Sequence, residues 1–251
     1  SMQDNFKLSE VITMKDYEKQ TQEIYSKMNY IWPVENSWYD YTHSQILEFI
    51  YNNKRIFKKT DKILNAGSGG SKYDIDGTMY HVDLATNLIK HLPNSFTSSI
   101  EEMPFSSSFF NSTICVGSVI NYCNALTAIS EIARVMQIGG YLIIEYERSL
   151  TGELFLKQGY GKNTIKQIYT FNNERNHNLW LYSDKYINHI LQENGFDIIN
   201  AKLFHSLSAL KNRFIDDEIK SGYASKYDKR IPNWLAYRFA HNRIVLCKKS
   251  F

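Results

Sequence analysis

The chain reads as an α/β protein built on a doubly wound, mostly parallel sheet of seven strands. Three observations predict this. Short apolar runs alternate with segments of helical period along most of the 251 residues. One of those runs, Thr113–Ser118, is almost continuously apolar, as a parallel strand covered on both faces must be. The first run, Lys62–Ala66, passes straight into Gly67-Ser68-Gly69-Gly70, a strand-to-turn junction at which glycines let the backbone bend sharply.

The elements follow in order. Residues 14–30 are polar with spaced apolar positions, which predicts a surface helix broken by Pro33. A second helix starts near Ser37 and carries Tyr41, Ile46, Phe49 and Ile50 on one face. Residues 1–60 are thus expected to form an N-terminal helical lid on a core made of residues 61–149 and 183–251. Core strands are expected at Lys62–Ala66, Met79–Asp83, Ser95–Ile100 and Thr113–Ser118. Ala125, Ile129, Ile132, Ala133 and Met136 then recur at helical spacing, and Gly139-Gly140 reads as the end of that helix. Tyr141–Glu145 is the fifth strand. The segment 150–182 breaks the alternation: two β-prone runs, Ile168–Phe171 and Leu179–Tyr182, flank a polar stretch and predict a hairpin. A helix over Asp184–Glu193 stops at Asn194-Gly195, and strands Phe196–Leu203 and Arg243–Cys247 complete the seven. Residues 206–240, with helical stretches and Pro232, form a second insertion; both insertions read as caps over a substrate.

Composition narrows the function. With 29 basic and 26 acidic residues the formal net charge is +3, too mild to predict nucleic acid or a membrane surface as partner, both of which call for a concentrated basic face. The densest basic stretch, Lys54-Arg55, Lys58-Lys59 and Lys62, reads as a solvated helix end. Cys115, Cys123 and Cys247 show no CxxC spacing and read as small buried hydrophobes in a reduced, cytoplasmic compartment. No secretory h-region opens the chain, and no apolar run approaches the roughly 18 residues of a membrane span. Ser1 before Met2 is read as an expression scar. Core packing accounts for most of the 18 Tyr and 14 Phe, and several tyrosines outside the predicted core strands suit a pocket wall for an aromatic or amphipathic small molecule.

A strand, a glycine turn and an acid, Asp83, at the end of the next strand make a nucleotide-type site: the turn's N–H groups face the ligand and the carboxylate can take ribose hydroxyls. A dinucleotide fingerprint would need a third glycine where Lys72 stands, which demotes the NAD reading. Five stretches together carry a more specific likeness. They are Leu64-Asn65-Ala66-Gly67-Ser68-Gly69, Val82-Asp83-Leu84, Ser99 to Phe105, Cys115 to Tyr122, and Ala133-Arg134-Val135-Met136 with Gly139-Gly140-Tyr141. In that order the chain resembles the class I S-adenosylmethionine-dependent methyltransferases, a Rossmann-like family, well over residues 37–150 and loosely over the last two strands. The resemblance implies S-adenosyl-L-methionine as cofactor. It implies that Asn65, Gly67, Ser68 and Gly69 lie beside the methionine part, Asp83 and Leu84 at the ribose, Ser99, Ile100 and Glu101 at the adenine, and Ser118 at the end of the fourth strand. Tyr39 and Tyr41 resemble the lid tyrosines that lie over the cofactor.

Two departures stand out. The family's first motif usually opens with an acid where this chain has Asn65, and the stretch from Gly67 to Asp83 is short, so that the first helix is expected to shrink to about one turn. A subset of the family with L-N-x-G-[CS]-G is similar in both respects. The activity implied is methyl transfer to a nitrogen or oxygen of a small molecule in a lidded cleft. A hydroxyl acceptor would need a base, for which Glu145 and Glu147 after the fifth strand and His205 after the sixth are the candidates. No metal-ligand spacing is present. An RNA or protein methyltransferase on the same core, or a non-catalytic cofactor-binding scaffold, are the alternatives.

Overall fold

A computed structural model describes residues 14–26, 35–171 and 175–251. Helix α1 (Met14–Tyr25) is followed by α2 (Ser37–Asn52), which begins where the side chain of Asn36 accepts the Trp38 and Tyr39 N–H groups. The predicted stop at Pro33 lies outside the described residues. Then come β1 (Lys62–Ala66), β2 (Thr78–Asp83), the short α3 (Thr86–Ile89), β3 (Ser95–Thr97), β4 (Phe110–Cys115), α4 (Ala125–Val135) and β5 (Met136–Glu147). A hairpin, β6 (Thr164–Phe171) with β7 (Arg175–Tyr182), precedes α5 (Asp184–Glu193) and β8 (Phe196–Phe204). Helices α6 (Ser206–Ile215), α7 (Glu218–Gly222) and α8 (Asn233–Phe239) lead into β9 (Asn242–Lys249).

The expected seven-stranded sheet is present, in the order β3-β2-β1-β4-β5-β9-β8. The first five strands are parallel, and β9 runs antiparallel to both β5 and β8. The two hairpin strands pair with each other in a second sheet, and Tyr182 at the end of β7 also bridges Arg148.

Strand periodicity decides what covers each face. In β1, Ile63 joins Ile114, Ile143 and Ile244 against Ile46, Phe49 and Ile50 of α2. Its neighbour Leu64 points the other way, with Val82, Cys115 and Ile144, onto α4 and α5 through Ile129, Ile132 and Ile187. A strand whose consecutive residues are both buried is mostly apolar along its length, and this is why the central strands lack alternation. Each such Ile or Leu contributes about 1.5–3 kcal/mol by leaving water.

Four local expectations need correction. β3 ends at Thr97 rather than Ile100. β4 begins at Phe110 and ends at Cys115, so Val116–Ser118 form a loop. Gly139-Gly140 does not terminate α4, which stops at Val135, but sits inside β5. There the pairing jumps from Phe110 opposite Met136 to Ser112 opposite Tyr141, a bulge that Gly139 absorbs at φ +85° and that a Cβ on Gly140 would block, 2.5 Å from Asn111 O. The first crossover helix is absent altogether: between β1 and β2 the chain is turn and extended coil, and Tyr73 and Ile75 pack against the core in a helix's place.

Behind the sheet ends, Arg148 is fully buried. It forks onto Asp184 (2.8–3.2 Å) and donates to the carbonyls of Leu150, Tyr237 and Ala240. No helix among the described residues is long and apolar enough to cross a membrane.

Candidate functional site

A cleft opens at the carboxyl ends of β1, β2, β3 and β4, where strand order reverses between β1 and β4 and the connections leave to opposite sides of the sheet. This is where doubly wound sheets bind ligands. Its floor is the glycine turn. Gly67 and Ser68 both donate to Val82 O (2.9 and 3.0 Å), tying the turn to the end of β2. Gly67 has φ +67°, and a Cβ there would lie 2.4 Å from both methyls of Val119, so only glycine lets the two loops close on the cleft.

Asp83 lines the cleft beside this turn. One carboxylate oxygen accepts Gly69 N at 2.7 Å and the other Ala85 N at 2.8 Å. Burial raises its pKa, opposed by the N–H groups of Ala85, Gly69 and Leu84. Leu84, Ala85 and Leu88 continue one wall, and Ser98, Ser99 and Ile100 form the next. From the segment after β4 come Val116, Gly117 and Val119. Tyrosines complete the cleft: Tyr25 from α1, Tyr39 from α2, Tyr73, and Tyr122, with Tyr25 and Tyr122 edge to face at 6.1 Å. Burial raises the pKa of all four, so their hydroxyls stay protonated.

Of the expected cofactor residues, Tyr39, Gly67, Ser68, Gly69, Asp83, Leu84, Ser99 and Ile100 are brought together on the cleft. Asn65, Glu101, Ser118 and Tyr41 are not among its lining. Asn65 is buried behind the turn, where its amide donates to Ser71 O (3.1 Å) and Ser68 Oγ (3.3 Å). A carboxylate has no proton to give those acceptors, which accounts for an amide here. Ser68 Oγ in turn meets Nδ1 of His81 at 2.7 Å, a histidine that burial, with help from Lys72 and His91, lowers to about 4 and keeps neutral. Glu101 accepts Asn124 N at 2.7 Å. Tyr41 donates to Asp228 (3.1 Å). Ser118 holds a left-handed backbone, φ +61°.

The three acid–base candidates also serve the scaffold. Glu145 is fully buried: one oxygen accepts both Gly117 N (2.8 Å) and Ser118 N (2.7 Å), and the other accepts Asn242 Nδ2 (2.7 Å). Burial pushes its pKa up to about 7 against those three bonds. His205 stacks on Trp38 at 4.0 Å, and its ring nitrogens meet Thr42 Oγ1 (2.8 Å), Trp38 O (3.1 Å) and Ser208 Oγ (2.6 Å). Burial and nearby His241 lower its pKa well below the usual value. Glu147 lies 3.2 Å from His241 Nε2, close enough for an ion pair but poorly angled for a hydrogen bond. Burial works against a charge on His241, yet Glu153, Glu147 and Glu145 outweigh it and raise His241 to about 9.

Several cleft residues had no sequence signal. Thr21, Gln22 and Tyr25 come from one face of α1, where Gln22 Nε2 donates to Leu84 O (2.9 Å), so this helix is a wall rather than a surface element. Tyr122 is positioned by its neighbour Asn121, which is fully buried and bonds the backbone of Glu147 in both directions (2.9 Å each) and Trp180 O (2.7 Å). Among the described residues no group of His, Cys, Asp and Glu side chains could hold a metal ion.

Comparison with known proteins agrees with this geometry. Residues 58–144 match a family model described as a methyltransferase domain. No curated protein sequence is similar enough to count as a relative. Among solved structures, geranyl diphosphate C-methyltransferase from Streptomyces coelicolor A3(2), in complex with Mg2+, geranyl diphosphate and S-adenosyl-L-homocysteine, superposes with a TM-score of 0.61. It shares 11% identity over 93% of this chain and 98% of its own. The 1,6-didemethyltoxoflavin-N1-methyltransferase of Burkholderia thailandensis, with 1,6-didemethyltoxoflavin and S-adenosylhomocysteine bound, gives 0.56 at 10% identity over 93% and 87%. The [4+2]-cyclase SpnF gives 0.53 at 13% identity over 82% and 80%. At such identities the likeness establishes the fold, and SpnF shows that this fold also hosts chemistry of another class.

Proposed function

We propose that this chain is a cytoplasmic S-adenosylmethionine-dependent methyltransferase that methylates a nitrogen or oxygen of a small aromatic or amphipathic molecule. One observation carries the reading: the glycine turn after β1 and the Asp83 carboxylate after β2 face one cleft at the point where strand order reverses. The residues present fit the cofactor. A Cβ at Gly67 would fill the place where the turn and Val119 meet, and a carboxylate held by two backbone N–H groups keeps lone pairs for ribose hydroxyls.

When bound, S-adenosylmethionine supplies a methyl group already activated by its sulfonium. The chain's own residues then have to hold, align and exclude water. Asp83 would take the ribose, Ser98–Ile100 the adenine side, and the Gly67–Gly69 turn the methionine side. Tyr25, Tyr39 and Tyr122 would wall the acceptor. Residues 1–60 act as lid, and 150–182 and 206–240 as caps. The tyrosines on the cleft stay protonated and Asp83 is held by the turn, so an acceptor that brings its own lone pair, such as a neutral amine, suits the site best.

Calorimetric titration with S-adenosylmethionine, S-adenosylhomocysteine and NAD tests this. Micromolar binding of the two sulfur ligands and none of NAD is expected. Binding of NAD alone, or silence toward both sulfur ligands, would overturn the proposal.

A further inference from the structure

The mild charge of the chain is concentrated in one place. Residues 206–240 hold seven basic side chains against four acidic ones, which accounts for the whole net charge of +3 and leaves the rest of the chain balanced. Two of the four acids face inward. Asp228 accepts His205 N, Ser206 N and the Tyr41 hydroxyl, and Glu218 accepts Asn36 Nδ2. Of the seven basic residues only Arg213 is half-buried; the other six are exposed. The outward face is therefore more positive than the bare count.

The same stretch leaves large apolar side chains in water. Phe214 is 68% exposed, Trp234 66%, Tyr223 64% and Tyr237 55%, and Ile215 and Ile219 are exposed beside them. Helix α8 (NWLAYRF) buries none of its residues. Helices α6, α7 and α8 and the turn 223–230 pack together as one body. Leu156, 78% exposed, borders it, because Arg213 Nε donates to Phe155 O at 3.1 Å and the Phe155 ring meets that of Phe239 at 5.1 Å. Exposed apolar side chains gathered on one packed body are what an interaction surface presents.

We propose that this face docks on an anionic lipid surface, its aromatic and aliphatic side chains in the interfacial layer and its lysines and arginines on the headgroups. A second copy fits less well, since a two-fold contact would set the positive face against itself. Single-stranded RNA could stack on Trp234 and the tyrosines, but it would leave Leu156, Ile215 and Ile219 in water, whereas a lipid interface takes them all. The face is tied to the cleft: Asn36 Nδ2 to Glu218 and Ser37 Oγ to Ile219 O hold α7 on the first turn of α2, the turn that presents Tyr39. Docking would thus set the enzyme where an amphipathic acceptor resides.

The test is co-sedimentation of the full chain with vesicles of phosphatidylcholine alone and of phosphatidylcholine with phosphatidylserine. Binding to the second only, weakened by salt, is expected. Lys229→Glu with Arg230→Glu should lower it about tenfold or more, and Trp234→Ala should lower it as well, with unfolding transitions and cofactor affinity unchanged. Failure to sediment with either vesicle overturns the proposal, as does undiminished binding by the charge-reversed variant. Binding to poly-uridine, or a Trp234-dependent dimer, without vesicle binding would assign the face to RNA or to a second copy instead.

Discussion

Replacing Glu145 separates two properties of one side chain, its shape and its proton. Buried beneath the loop after β4, it titrates near 7 in the fold against 4.5 for an ordinary glutamate. A folded-state pKa above the unfolded one means that folding prefers the protonated acid. The stabilisation is therefore fully present below about 4.5, declines as pH rises, and is gone once pH passes about 7. The gap, at about 1.4 kcal/mol per pH unit, corresponds to about 3 kcal/mol. Glu145→Gln keeps the shape and abolishes the titration. Its amide oxygen can still accept Gly117 N and Ser118 N, and its NH2 would face Asn242, whose Oδ1 is buried without a partner and becomes available if that amide flips.

Urea denaturation of both proteins from mildly acidic to mildly alkaline pH measures the effect, and taking the difference at each pH cancels the titrating groups that are not coupled to Glu145, leaving its own term and its coupling to Glu147 and His241. The Gln variant should match the wild type at the acid end and become more stable by up to about 3 kcal/mol above neutrality. A difference that stays flat with pH would refute the reasoning. Glu145→Ala is the control for shape: it leaves two loop N–H groups without their acceptor and opens a cavity, so it should cost about 2–5 kcal/mol at any pH.

Three other substitutions test the rest of the site. Asp83→Ala should weaken cofactor binding by about 1.5–3 kcal/mol in calorimetry by removing charge-assisted bonds; unchanged affinity in a folded variant would misplace the ribose. Gly67→Val should abolish binding, because φ is +67° and Val119 lies 2.4 Å from the added Cβ; a variant with full affinity would remove the glycine-turn argument. Arg148→Met strands Asp184, whose burial is outweighed by Arg148, Arg243 and the Tyr146 hydroxyl. It should cost about 3–5 kcal/mol in denaturation, and a loss below about 1 kcal/mol would show that the pair is not needed.

What the sequence disclosed depends on which force left a pattern. Strands β1, β2 and β5 and helices α4 and α5 were legible because burial imposes a period, and the Gly67–Gly69 turn with Asp83 was legible because backbone approach demands glycine. Thr21 and Gln22 on α1 left no trace, since a helix face turned to an open cleft rather than to the core need not be apolar. Gly139-Gly140 misled because a glycine pair after a helix serves a bulge as well as a stop. Asn65 was legible only by position: the direction of its amide bonds, inward to Ser68 and Ser71, exists only in the folded turn.

The acid–base candidates teach the same lesson about burial. Glu145 was singled out for its place at the carboxyl end of the fifth strand, but desolvation forces a buried acid to find partners, and those it found are the N–H groups of a cleft loop and the amide of Asn242. His205 likewise spends both ring nitrogens on hydroxyls and a carbonyl. Glu147 is half-buried and pairs with His241, which is raised to about 9 and so is a cation at neutral pH. Glu145 and His205 are thus tied into the scaffold, and the groups that line the cleft include protonated tyrosines and a carboxylate already held by the turn. On the proposed function, such a site would accelerate transfer by alignment and exclusion of water rather than by proton removal, and would suit an acceptor that arrives with a lone pair ready.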